Sequence, residues 1–165
     1  MSLKKMLFAA VLIAAGVLTG PLVSIPVGLS RCFPVQHTIN VLSAVLLGPA
    51  YALLNAFSIS LLRNLLGTGT LLAFPGSLFG AALAGLSFRL FKRHAAAAAG
   101  EILGTGLIGG LAAFPTALLL MGKTAGALFF IPPFLLSSAG GSLLALGILP
   151  LLQKALHPGY SGETP

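Results

Sequence analysis

Long apolar runs, broken by short clusters of glycine, proline and polar residues, set the pattern of this chain. The first run, MLFAAVLIAAGVLTG, follows Lys4 and Lys5 and predicts a helix from about Leu3 to Leu22. Its basic start and short apolar centre resemble a signal peptide, but further apolar helices follow, and a retained first helix orients them consistently. SIPVGLSRCFP then reads as a loop, because Pro26 and Pro34 limit regular structure there. VQHTINVLSAVLL predicts a short second helix closed by Gly48 and Pro49, and a third runs from about Ala50 to Leu66. LGTGTLLAF is a glycine-punctuated connection, and Pro75 is placed to open a fourth helix that ends at the basic cluster RLFKRH. The alanine run 95–99 leads into a fifth helix reaching about Leu120, and Pro132 and Pro133 introduce a sixth that extends to about Gln153.

These elements predict an all-α fold: one six-helix transmembrane domain over residues 1–154, followed by a disordered cytoplasmic tail, residues 155–165. The second helix is too short to span alone, which is tolerated where protein or a water-filled cavity covers it. Composition agrees with a lipid-embedded bundle. Of the 165 residues, 57% are hydrophobic and only 7% charged, against roughly 25% charged in soluble domains. A β-barrel would alternate apolar and polar residues in segments of about ten, whereas these runs are continuous and rich in Leu, Ala and Gly.

The net charge of +7 is dispersed along the chain and forms no patch for nucleic acid. It reads instead as topology. With six spans and the N-terminus inside, Lys4, Lys5, Arg89, Lys92, Arg93 and Lys154 fall on the inner side, and Arg31, Arg63 and Lys123 on the outer. That bias favours a multi-pass protein of the cell membrane with both termini cytoplasmic. Small residues four apart, such as Ala10 and Ala14, Gly76 and Gly80, Gly100 and Gly104, Gly106 and Gly110, and Gly141 and Ala145, suit close helix packing in lipid. The helix-one pair could equally offer its face to another protein.

Several motifs fail on context. ALLLMGKT, residues 117–124, nearly spells a phosphate-binding loop, but Ala117 replaces its first glycine, a membrane helix precedes it, and the chain has no aspartate to help hold magnesium. GTGLIG, residues 104–109, matches a dinucleotide fingerprint inside a helix, without the strand-turn-helix unit that gives the motif its geometry. Cys32, the single cysteine, allows no internal disulfide and no CxxC pattern. Nothing in the spacing brings His37, Glu101 and Cys32 together as nucleophile and base, and neither GxSxG nor HExxH occurs. The expectation is a protein that is not an enzyme, with no cofactor and no metal.

What remains is a polar cluster in an apolar setting. Gln36, His37 and Asn40 fall in the outer part of helix two, with His37 and Asn40 on one face. Arg63 and Asn64 fall at the outer end of helix three, while Arg31 approaches through the first loop and Thr68 and Thr70 through the third. An arginine near a helix end can snorkel to the headgroups, but short amides cannot, so their bonding must be met by one another, by water or by a ligand. Glu101, in the inner third of helix five, is a further candidate, with an arginine or His37 as partner, or a protonated state, all open. Phe33, Phe74 and Phe114 lie near the outer side, where they could stack on a planar ring.

Through CFPVQHTINVLSAVLLGPAYALL (32–54), SLLRNLLGTGTLLAFPGSLFGAALAG (60–85) and GEILGTGLIGG, the sequence resembles the ThiW family of substrate-binding S components of energy-coupling factor (ECF) transporters. That resemblance implies a six-helix membrane protein whose outward pocket is closed by the first, third and fifth connections. It also implies capture of hydroxyethylthiazole, the thiazole precursor of thiamin, and partnership with an ECF transmembrane coupling subunit and two ABC-type ATPase subunits. Ala10 and Ala14 match the A-x-x-x-A motif by which S components dock on that partner. Cobalt and nickel relatives carry a histidine after the initiator methionine, and Ser2 stands here instead. The polarity of the cluster nominates Gln36, His37, Asn40, Arg63, Asn64 and Glu101 as substrate-binding residues. Alternatives are an S component for another small vitamin-related solute, or a non-transporting membrane assembly protein in which the polar residues satisfy one another.

Overall fold

A computed structural model describes residues 3–27, 30–124 and 126–156. Within them lie six helices: α1 (Leu3–Thr19), α2 (Pro34–Leu46), α3 (Pro49–Leu65), α4 (Ala73–Phe91), α5 (His94–Leu120) and α6 (Ile131–Leu156). In α5, Leu103–Gly109 and Thr116–Leu120 are wound as π-helix. The expected tail falls largely on residues 157–165, outside the described residues, as does Ser2; Ala155 and Leu156 still belong to α6.

Prolines set the starts of the central helices. Pro34 and Pro49 each occupy the first turn, where a missing N–H is no loss, and Gly48, at φ 100°, makes the tight link between α2 and α3. α4 begins two residues before Pro75 rather than at it, because first-turn amides have no helical partner to lose. Two expectations need correction. Helix one ends at Thr19, not Leu22, and the segment expected to be irregular contains an antiparallel hairpin, β1 (Ile25–Val27) with β2 (Ser30–Cys32), in the register Ile25 opposite Cys32.

α4, α5 and α6 are each long and apolar enough to cross a membrane. α1 and α3, at 17 residues each, sit at the short end of the range, and α2, at 13, falls below it. The short helix is the central one. α2 packs against all five others, and most of its residues are buried, polar ones included; surrounding protein thus takes the place of water for a segment that does not span. Around it Leu12, Ile39, Leu42, Ile59 and Leu149 form the main apolar cluster, while Leu and Phe side chains cover much of the outer surface. The chain is an all-α membrane protein.

Glycines sit where helices approach closely. A Cβ on Gly104 would lie 2.8 Å from the Gly80 Cα, and one on Gly109 2.7 Å from the Gly76 Cα, so α4 and α5 meet glycine against glycine. Gly110 likewise admits the Ile131 backbone of α6, and Gly141 admits α2 beside His37. These seams bring polar side chains on α2, α4 and α5 within hydrogen-bonding reach of one another. The hairpin, the connection 66–72 and residues 121–124 and 126–130 all lie at the end of the bundle where α2, α4 and α6 begin.

Candidate binding cavity

At that end the structure holds a cavity of about 530 Å3. Phe33, Gln36 and His37 reach it from the start of α2, Arg63 from the end of α3, Thr70 and Leu72 from the following connection, and Gly76 and Ser77 from α4. Thr105 of α5 contributes a hydroxyl; Phe129, Phe130 and Phe134 form an aromatic wall; Arg31, Lys123 and Thr124 stand among its exposed residues. An apolar enclosure with a few fixed polar groups is the common form of a small-molecule site.

Two hydrogen-bonded groups underlie it. In the first, Arg63 Nη1 donates to Gln36 Oε1 at 2.7 Å and Nη2 to the Thr68 carbonyl at 3.1 Å. Gln36 Nε2 donates to Ser60 Oγ at 2.8 Å, so both ends of this amide are held. The guanidinium lies over the Phe33 ring, 4.1 Å from its centroid, and its position in the last turn of α3 places a cation at the negative end of the helix dipole. Phe33 is itself tied to α6 by its N–H donating to Ser137 Oγ at 2.8 Å.

The second group centres on Glu101, which is fully buried. Its Oε1 lies 2.8 Å from His37 Nδ1, 3.0 Å from Asn40 Nδ2 and 2.9 Å from Thr105 Oγ1. Asn40 also reaches the Ser77 carbonyl at 3.2 Å, and Thr105 the Gly76 carbonyl at 3.0 Å. With Nδ1 engaged by the carboxyl group, Nε2 is the His37 nitrogen left without a partner among the described residues. Which nitrogen of a histidine is available is fixed by the bond the other makes. Glu101 Oε2 and Asn40 Oδ1 are buried without partners among the described residues.

A family model described as thiamine-precursor transporter protein (ThiW) matches residues 6–155. The chain belongs to the ThiW family. No curated protein and no solved structure matches it.

For a ThiW protein the six nominated polar residues separate into three sets. Gln36, His37 and Arg63 border the cavity. Asn40 and Glu101 do not border it; Glu101 holds His37 from behind, and Asn40 donates to Glu101. Asn64 does not border it either, because its amide nitrogen is spent on the carbonyls of Ser60, at 2.8 Å, and Thr70, at 3.0 Å, which pins the connection after α3. Of the partners left open for Glu101, an arginine or His37, the α2–α4–α5 packing selects His37, in direct contact. Cys32 stays apart: it is buried, its Sγ is 3.2 Å from the Pro133 carbonyl, and burial pushes its thiol above the usual range. Among the described residues no three metal-ligating side chains come together.

Of the nominated aromatics only Phe33 lines the cavity. Phe74 pairs with Phe57 at 5.8 Å, and Phe114 packs beside Ala113, Ala117 and Phe130. The wall comes instead from Phe129, Phe130 and Phe134, whose signal in the sequence is the FFIPPF run at a proline-started helix. Ser77 and Thr105 also line it and carry no sequence signal, being small hydroxyl residues inside apolar helices.

Proposed function

We propose that this ThiW protein is the substrate-binding S component of an ECF-type importer, capturing hydroxyethylthiazole outside the cell and delivering it inward. The observation that carries this reading is the cavity, with aromatic walls and a polar base of Gln36, His37 and Arg63 held from behind. Hydroxyethylthiazole is a flat ring with a nitrogen, a sulfur and a hydroxyl. Phe33 or the Phe129–Phe130–Phe134 wall offers faces to stack on the ring, and the His37 Nε2 offers a fixed polar partner for its nitrogen or hydroxyl. All six helices cross or sit within the plasma membrane in this reading, with both termini cytoplasmic and the cavity opening outward beneath the first, third and fifth connections.

Energy comes from elsewhere, through a transmembrane coupling subunit and two ABC-type ATPases. Ala10 and Ala14 lie exposed on α1, on the side turned away from the core residues Ala9, Leu12 and Gly16, which supports a role in docking that partner. The test is uptake of labelled hydroxyethylthiazole by vesicles containing this protein with and without the coupling module. ATP-dependent accumulation requiring both is expected; accumulation without the module, or none with it, overturns the proposal.

A further inference from the structure

The cavity carries an imbalance of charge. Arg31, Arg63 and Lys123 all border it, and among the described residues no carboxylate does. Glu101 lies behind the wall in contact with His37, and that is the one ion-pair contact among the described residues. Arg63 is 1% exposed, yet its partners are neutral: an amide oxygen, a main-chain carbonyl and an aromatic face. Its Nε is buried with no partner among the described residues. A guanidinium removed from water without an anion is held at an electrostatic cost that neutral acceptors only partly offset.

We propose that the cargo this cavity prefers carries a phosphate monoester on the alcohol arm, so that an aromatic ring meets the phenylalanine wall and a dianion meets Arg31, Arg63 and Lys123. This deepens the transporter reading and rests on it. The lining favours an ester over a bare anion, because it carries aromatic faces as well as cations, with Thr70, Thr124 and Ser137 supplying further hydroxyl donors. Arginine suits the task through its planar fork of N–H donors, matched to phosphate oxygens. The hydroxyl of the free alcohol can take one hydrogen bond from this set but brings no counter-charge.

The full-length protein in detergent can be titrated calorimetrically with hydroxyethylthiazole, with its phosphate ester and with inorganic phosphate, at low and high salt. The ester is expected to bind at least about tenfold more tightly than the alcohol at low salt, with the advantage shrinking as salt rises. In the double variant Arg31→Gln/Lys123→Gln, both at exposed positions, the ester-to-alcohol ratio should fall toward one, with the melting temperature showing that the fold is intact. An alcohol that binds as well as the ester, an ester preference untouched by the double variant, or inorganic phosphate binding as tightly as the ester would each overturn the proposal. If neither thiazole compound binds, the transporter reading itself fails, and this inference with it.

Discussion

Removing the Glu101 carboxyl group separates a residue that touches cargo from one that aims it. Its Oε1 is shared by three groups, but only one depends on it. Asn40 keeps the Ser77 carbonyl at 3.2 Å and Thr105 keeps the Gly76 carbonyl at 3.0 Å, whereas His37 Nδ1 would retain only Thr105 Oγ1 at 3.5 Å. A hydrogen bond involving a charged group contributes about 1.5 to 3 kcal/mol. If that orienting energy is transmitted to the ligand through His37, Glu101→Ala should weaken thiazole binding by about ten- to a hundredfold, at 1.4 kcal/mol per factor of ten. Glu101→Gln retains the shape and an acceptor oxygen, so its loss should be smaller. Calorimetric titration gives the affinities, and a melting curve in the same detergent reports whether each variant is folded. A folded Glu101→Ala protein that binds like the parent would refute the positioning role and leave Glu101 as a structural group.

Gly80→Ala should disturb the same network from α4, since the new Cβ would collide with Thr105 Oγ1 and approach Glu101 Oε1 to 2.6 Å; overpacking of this kind costs about 1 to 3 kcal/mol, read as a lower melting temperature together with weaker binding. Arg63→Lys removes the fork that holds Gln36 and Thr68 at once and should lower affinity more than Asn64→Ala, which loses only bonds to the carbonyls of Ser60 and Thr70. Equal effects in a binding assay would count against placing Arg63 at the cavity and Asn64 outside it. Because burial raises the Cys32 thiol, it stays protonated through neutral pH, and alkylation should be slow in the folded protein and fast once denatured; rapid labelling of the native form at pH 7 would contradict the burial.

Much of the fold is legible from local chemistry. Proline starts at Pro34 and Pro49, the glycine link at Gly48 and the basic stop after Phe91 each act over a few residues, so the helix order follows from the chain itself. The outer polar cluster is legible for the same reason, since Gln36 and His37 share a turn of α2 and Arg63 sits in the last turn of α3. The pairing of His37 with Glu101 is another matter. Those residues are 64 apart in sequence, on α2 and α5, and they meet through tertiary packing in which Gly80 leaves room for Glu101 and Gly141 for His37. Asn64 misled because an amide at a helix end can serve a ligand or cap its own chain, and composition does not distinguish the two. The π-wound turns around Thr105 and the short hairpin depend on tertiary packing and leave no periodic signature.

The most direct measurement is a crystal structure of the protein with hydroxyethylthiazole, with anomalous scattering used to find the ring sulfur. The chain contributes one cysteine and three methionines, so a ligand sulfur stands out as an additional peak. The account predicts that peak inside the cavity, against the phenylalanine wall, with a ligand polar atom in hydrogen-bonding contact with His37 Nε2. A sulfur peak only at the protein's own residues at saturating ligand, or one on the lipid-facing surface, would contradict it.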